Sequence, residues 1–324
     1  MRNSLALITI TGALLLAGSP AQAAPVITDL GALPGYHLSW ANDIGPDGVV
    51  GASSTPGQVQ GVFWPNDGVA VQLRPAAAGW ATAEAINNSR VIVGTSGDQA
   101  VRWAHPGAAP VLLPSPAVYT RTTAKSINNK GLIAGNGDHP ETYQTRALRW
   151  SSGRAPRVLP PLPGHQESEV GSAGAVGENS VVVGKSDDDA VFWDAAGNVH
   201  KLPQLAGWAR STAHAINRHG VIVGSYDLPG GGGGAVRWER GRVTVLPNLP
   251  GADHSGAYSI NDSGVSVGAS SGRAVRWDAA GVATELPKLS DQLPGHAKAI
   301  NERGQVTGTN SPQWRQDHAV RWTP

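Results

Sequence analysis

Four histidines, His37, His165, His254 and His296, each follow an L-P-G tripeptide within three residues. Imidazoles recurring in this way could meet at a metal ion and lower the pKa of a bound water, with Glu167 or Asp253 as base, which is the equipment of a metal-assisted lyase or hydrolase. Their registers differ by one or two residues, a spread that equally suits exposed or capping histidines. A second group is aromatic and cationic: Tyr36, Trp40, Trp80, Tyr119, Arg121, Trp208 and Arg210 fall in segments that link repeated units, and Trp314 falls in a loop. Flat rings beside directional donors suit stacking on the apolar face of a sugar. Trp80 and Trp208 stand in matching A-G-W elements.

Both sets depend on a scaffold that gathers distant residues, and the composition says which kind. The 324 residues include 42 glycines and 24 prolines but no cysteine and only two phenylalanines, which favours many short strands joined by tight turns. Without cysteine there is no disulfide framework, thiolate zinc site or thiol nucleophile. The 25 basic and 24 acidic residues leave a net charge of +1, unlike the basic excess of a general nucleic-acid binder. Residues 1–23 read as an export signal peptide: Arg2, an apolar run over residues 5–17, and the small-x-small Ala21-Gln22-Ala23. That run is too short to span a bilayer and no other stretch is long enough, so an exported chain from residue 24 onward, with no membrane insertion, is expected.

Trp64, Trp103, Trp150, Trp193, Trp238, Trp277 and Trp322 recur at intervals of 39, 47, 43, 45, 39 and 45 residues. Each ends a short strand such as Ala235-Val236-Arg237-Trp238. Before it come an A-x-x-[IV] strand and a hairpin, and after it a fourth strand ends at a leucine, as at Leu202, Leu246 and Leu286. Four strands in about 43 residues is the unit of a propeller blade. The spacing therefore predicts an all-β fold, a seven-bladed β-propeller of four-stranded blades, as one domain over residues 24–324. The seventh unit has no fourth strand after Trp322, while Val26-Ile27-Thr28-Asp29-Leu30 resembles Val243-Thr244-Val245-Leu246, so the N-terminal strand is expected to close the ring.

The pattern L-x-x-L-P-G, A-x-x-I-N-x-x-G-x-x-x-G, H-A-V-x-W is fullest at residues 295–322, ending in His318-Ala319-Val320-Arg321-Trp322. It resembles the bacterial HAF-type extracellular repeat family over essentially the whole exported chain. The resemblance implies the repeat fold and export, and no settled biochemical activity.

Aligning the repeats separates scaffold from function. One bulky tryptophan per blade is inter-blade core, and the Asn of each I-N pair, with glycine three residues on, is turn chemistry. The G-x-S-x-G at residues 264–268 aligns with residues 220–224, in a second strand and not at a strand-to-helix turn. Gly184-Lys185-Ser186 lacks the first glycine of a phosphate loop, since Asn179 stands there. Residues 230–234 read as a flexible glycine loop, and Asp187-Asp188-Asp189 as solvated charge.

Function is expected where the copies differ. They differ in the blade linkers and in the loops between second and third strands, which run to about 9, 5, 11, 5, 10, 5 and 10 residues and should share one face with the linkers. They also differ at an inner-strand position held by Asn42, Glu84, Lys125, Gly174, His214, Tyr258 and Lys298, expected at the channel or blade interface with Glu84 pairing Lys125. The fuller reading is a secreted, non-enzymatic and monomeric module that binds a polysaccharide or a cell-surface protein through variable loops, with no cofactor and no nucleic-acid partner. The metal-assisted lyase or hydrolase is the alternative.

Overall fold

The computed structural model describes residues 25–77, 79–151, 154–290, 294–313 and 316–324. The proposed signal peptide and Trp314 lie outside the described residues. Among those described, 28 strands form seven antiparallel sheets of four, and no helix is long and apolar enough to cross a membrane. Blade 1 runs from the inner strand Leu38–Ile44 through Gly48–Thr55 and Gln58–Pro65 to the outer strand Val71–Gln72. Blades 2 to 6 repeat that order from inner strands Ala81–Ile86, Arg121–Ile127, Glu169–Val170, Arg210–Ile216 and Ser255–Ile260. Blade 7 takes Gly295–Ile300, Val306–Gln313 and Gln316–Thr323, and its outer strand is Val26–Asp29, which pairs Ile27 with Trp322 and Asp29 with Val320. The protein is a seven-bladed β-propeller whose first strand completes its last blade.

The core lies between blades. Val267 and Leu286 of blade 6 cluster with Ile300, Val320 and Trp322 of blade 7, and the other layers repeat this arrangement. All seven repeat tryptophans are buried. Six of them donate Nε1 to a linker carbonyl of the preceding blade at 2.7–2.8 Å, as Trp103 does to Arg74 and Trp277 to Pro247. Trp64, beside the closure, has no partner; at the equivalent linker position, proline in five linkers and Arg74 in a sixth, stands Gly31, whose carbonyl accepts from the Ser39 hydroxyl at 2.7 Å.

The I-N asparagines do more than shape turns. Asn128 Oδ1 accepts from the amides of Lys130 and Leu132 in its own turn, while Nδ2 donates to Gly177 O of the next blade. Asn87, Asn217, Asn261 and Asn301 repeat the crossing. Each side chain thus satisfies buried backbone groups of two blades at once.

Six of the seven inner strands carry a β-bulge. Pairing with the second strand skips one residue between Ala41 and Asp43, Ala83 and Ala85, Ala124 and Ser126, Ala213 and Ala215, Ala257 and Ser259, and Ala297 and Ala299. The skipped residue has no ladder partner and is turned out of the sheet edge. The second strand needs glycine at this level in every blade, bulged or not: a Cβ on Gly94 would lie 2.0 Å from Thr82 O, one on Gly268 1.8 Å from Gly256 O, and one on Gly184 of blade 4 1.9 Å from Glu169 O. Gly268, the last residue of the false G-x-S-x-G, is therefore a packing requirement within the strand Ser266–Ser270. Blade 4 has no bulge; after Val170 its chain bends, with Ser172 N donating to His214 O at 2.9 Å in blade 5.

The loops between second and third strands are mostly strand. Two-residue turns, 56–57 and 97–98 for example, close the hairpins of blades 1, 2, 4 and 6, while those of blades 3 and 5, at 139–144 and 228–232, are longer. Gly233 and Gly234, expected in a flexible loop, pair with Asp227 and Tyr226. Tall and short hairpins alternate around the ring. Seven is odd, so the alternation breaks once, at the closure, where the tall hairpins of blades 7 and 1 are neighbours.

Candidate functional site

Linkers and hairpin turns share one face, as expected. Trp80 O accepts from Gly97 N, Leu162 N donates to Ser186 Oγ and Asp253 N donates to Ser271 Oγ, each a linker meeting a turn. The candidate residues are spread along this rim and do not gather into one cluster. Trp40, Arg121 and Arg210 belong to inner strands and not to linkers. Arg121 Nε lies 3.2 Å from Asp98, and Arg210 Nε lies 3.4 Å from Asp188, so equivalent arginines tie equivalent turns of neighbouring blades. The other two aspartates expected as solvated charge are also engaged: Asp187 accepts from the amides of Gln166 and Glu167, and Asp189 pairs with Lys201.

The aromatics differ in role. Trp208 stacks on Tyr226, with centroids 4.3 Å apart and planes 9° from parallel, and packs against the blade 4–5 core. Tyr119 packs over Gly137, where a Cβ would meet its ring at 2.9 Å, and burial raises its pKa. Trp80 is 37% exposed. Beside it rises the tall hairpin of blade 1: Gln60 Nε2 donates to Gly79 O at 3.1 Å, and on the other flank Tyr36 OH reaches Gln58 Oε1 at 3.4 Å. Tyr36 and Trp80 therefore bracket one hairpin, a relationship that needed the two glutamines to be noticed.

The four histidines stay apart. His165 meets Ser186 at 3.0 Å through Nδ1, with Asp187 and Asp189 at 3.9 and 3.8 Å. His254 Nδ1 lies 2.7 Å from Asp253 and 3.3 Å from Ser271 Oγ. That trio has the residue types of a catalytic triad without its geometry, since one ring nitrogen faces both partners where a triad uses two. His37 is exposed, and His296 lies in the inner strand of blade 7, its pKa lowered by burial and by Lys298, against a raising effect of Asp317. Among the described residues no three His, Asp or Glu side chains stand where they could hold a metal ion.

What the fold does gather is the bulged set. Asn42, Glu84, Lys125, His214, Tyr258 and Lys298 come together around the axis and line a cavity of ≈ 360 Å³, completed by Gly171, Ser172 and Ala173 of blade 4. Glu84 does not pair with Lys125; its Oε1 accepts from Thr82 Oγ1 at 2.9 Å. Lys298 Nζ lies 5.1 Å from the Tyr258 ring centroid, and His214 meets that ring edge-on at 5.3 Å. Burial keeps His214 neutral, its pKa lowered to about 4, with the Lys298 charge adding to the effect. Lys298 is itself lowered by enclosure, while Glu84 pulls it up and Lys125 pushes it down. One turn further along the strands, all seven Ile and Val side chains of the repeat border a separate basin of ≈ 390 Å³ at the opposite mouth.

By sequence, no family model and no curated protein matches the chain. By structure it is similar to a streptogramin B lyase, with TM-score 0.62 and 10% identity over 94% of this chain and 99% of that one. It is similar too to a catalytically inactive variant of virginiamycin B lyase from Staphylococcus aureus with quinupristin, with TM-score 0.64 and 12% identity over 93% and 99% of the two chains. At such identities the likeness is one of fold, the β-propeller.

Proposed function

We propose that this chain is an exported propeller of the HAF-repeat type that binds a carbohydrate on its loop-bearing face, at the tall blade 1 hairpin. The observation that carries this reading is Trp80, whose indole is 37% exposed beside that hairpin while the equivalent Trp208 is committed to Tyr226. Tyr36 on the far flank, with the exposed Gln58 beside it, adds a second ring and an amide, the mixture that grips a sugar by stacking and directional hydrogen bonds, while Gln60 holds the Gly79 carbonyl. The neighbouring tall hairpins of blades 7 and 1 give the mouth one high side against which an extended chain can lie. A surface protein is the other class of partner that fits such a rim. The lyase or hydrolase alternative draws no support from the scattered histidines.

Titration with a panel of soluble polysaccharides, followed by tryptophan fluorescence, tests the reading. A saturable shift is expected in the native protein and in Trp208→Phe, and is lost in Trp80→Ala. A response that survives Trp80→Ala overturns the assignment to this hairpin.

A further inference from the structure

We propose that the channel holds a second binding site, independent of the rim, for a small hydroxylated monocarboxylate of the sugar-acid class. The argument starts from the lysines, of which the chain has six. Lys185, Lys201 and Lys288 pair with carboxylates, and Lys130 Nζ donates to Glu178 O. Lys125 and Lys298, the two that face the channel cavity, make no ion pair and no hydrogen bond among the described residues. Lys298 is open to the channel water and Lys125 is half-buried, and two unpaired ammonium groups facing one lumen repel each other and give it a positive potential that draws in an anion.

The charge count sets the ligand's valence. Two lysines against Glu84, with His214 neutral, leave one positive charge over, which a single carboxylate neutralises and a phosphate dianion overshoots. Acceptors in the same lumen set the rest of its chemistry. Glu84 takes only the Thr82 hydroxyl, and Asn42 gives Nδ2 to Ala83 O at 2.9 Å, so its Oδ1 can accept from a ligand hydroxyl. The Tyr258 ring offers an apolar wall already faced by the Lys298 ammonium. Blade 4 makes the room: where the other blades send a bulged side chain inward it presents the short Gly171-Ser172-Ala173 segment, held back against His214 O of blade 5.

Calorimetric titration of the protein with D-glucuronate, D-glucose and inorganic phosphate tests this. Saturable binding of glucuronate, absent for glucose and weaker for phosphate, is expected. Lys125→Met and Lys298→Met should each weaken it by roughly tenfold, and Glu84→Gln should tighten it severalfold by removing the competing charge. Glu84→Gln keeps the inference testable if a lysine variant fails to fold, which thermal melting reports. Trp80→Ala, which disables the rim site, should leave glucuronate binding unchanged. No saturation by about 20 mM glucuronate, equal binding of glucose, tighter binding of phosphate, or unaltered affinity in the folded lysine variants would each overturn it.

Discussion

Asn217 Nδ2 donates to the carbonyl of Asn261, 3.1 Å away in the next blade, while its Oδ1 accepts from the amides of His219 and Val221 in its own turn. One amide side chain therefore answers three backbone groups of two blades. Asn217→Ala should destabilise the fold by about 2–4 kcal/mol, because all three groups lose their partner, two of them in a buried setting. Asn88→Ala, exposed one position along an equivalent turn, should change stability by less than about 0.5 kcal/mol. Urea unfolding of both variants checks the contrast, and equal losses would mean that the crossing contributes little.

The glycines of the second strands give another expectation. Gly94→Ala places a Cβ 2.0 Å from Thr82 O, so the inner strand of blade 2 must move and Glu84 with it. A loss of about 2–4 kcal/mol is expected. Gly107→Ala, with nothing nearer than the His105 ring at 3.7 Å, should be neutral. Thermal melting distinguishes a packing requirement from a mere preference for glycine in strands.

The repeat makes the ring legible in the sequence, since one tryptophan per unit and an orphan first strand leave few other topologies. The bulges were not legible. Ala83-Glu84-Ala85 reads as ordinary alternation, and only the register of Ala83 with Gly94 and Ala85 with Val93 reveals the residue that is left over. The variable inner-strand position was visible as variable, yet its pairing was misjudged, because Glu84 and Lys125 are aimed at the lumen and not at each other. The ion pairs of the rim arginines were not legible either. Their aspartate partners sit in the preceding blade's turn, a proximity that the stacking of neighbouring blades creates and local spacing does not announce.

A pH dependence follows from Asp43. Its Oδ1 and Oδ2 accept from Ile44 N and Ile86 N at 2.8 and 2.9 Å, linking blades 1 and 2. Burial nonetheless pushes its pKa up to about 6, the two amides offsetting only part of the rise. A raised carboxyl binds its proton more tightly when folded. Its contribution is fully present below the ordinary aspartate range and is lost as pH climbs from about 4 to about 6, a swing on the order of 2–3 kcal/mol. Asp43→Asn cannot titrate, so the stability of the native protein relative to this variant should fall between pH 4 and pH 7. Parallel curves from urea unfolding across that range would show that Asp43 is ordinary.

Trp80 and Trp208 occupy matching A-G-W elements, and the sequence treats them alike, but their surroundings do not. Trp208 lies on the Tyr226 ring and against the core between blades 4 and 5, so Trp208→Ala removes a stacked aromatic contact and the apolar area beneath it. A loss of about 2–3 kcal/mol is expected, most of which Trp208→Phe should restore. Trp80 has no stacked ring partner among the described residues and keeps over a third of its surface open, so Trp80→Ala should lower stability by less than about 1 kcal/mol. Melting curves of the two alanine variants, read beside the polysaccharide titrations, separate the roles: Trp208 holds a blade linker down and Trp80 faces whatever the rim binds. If Trp80→Ala proves the more destabilising of the pair, its indole is scaffold, and the rim site must then be sought around Tyr36 and the hairpin glutamines.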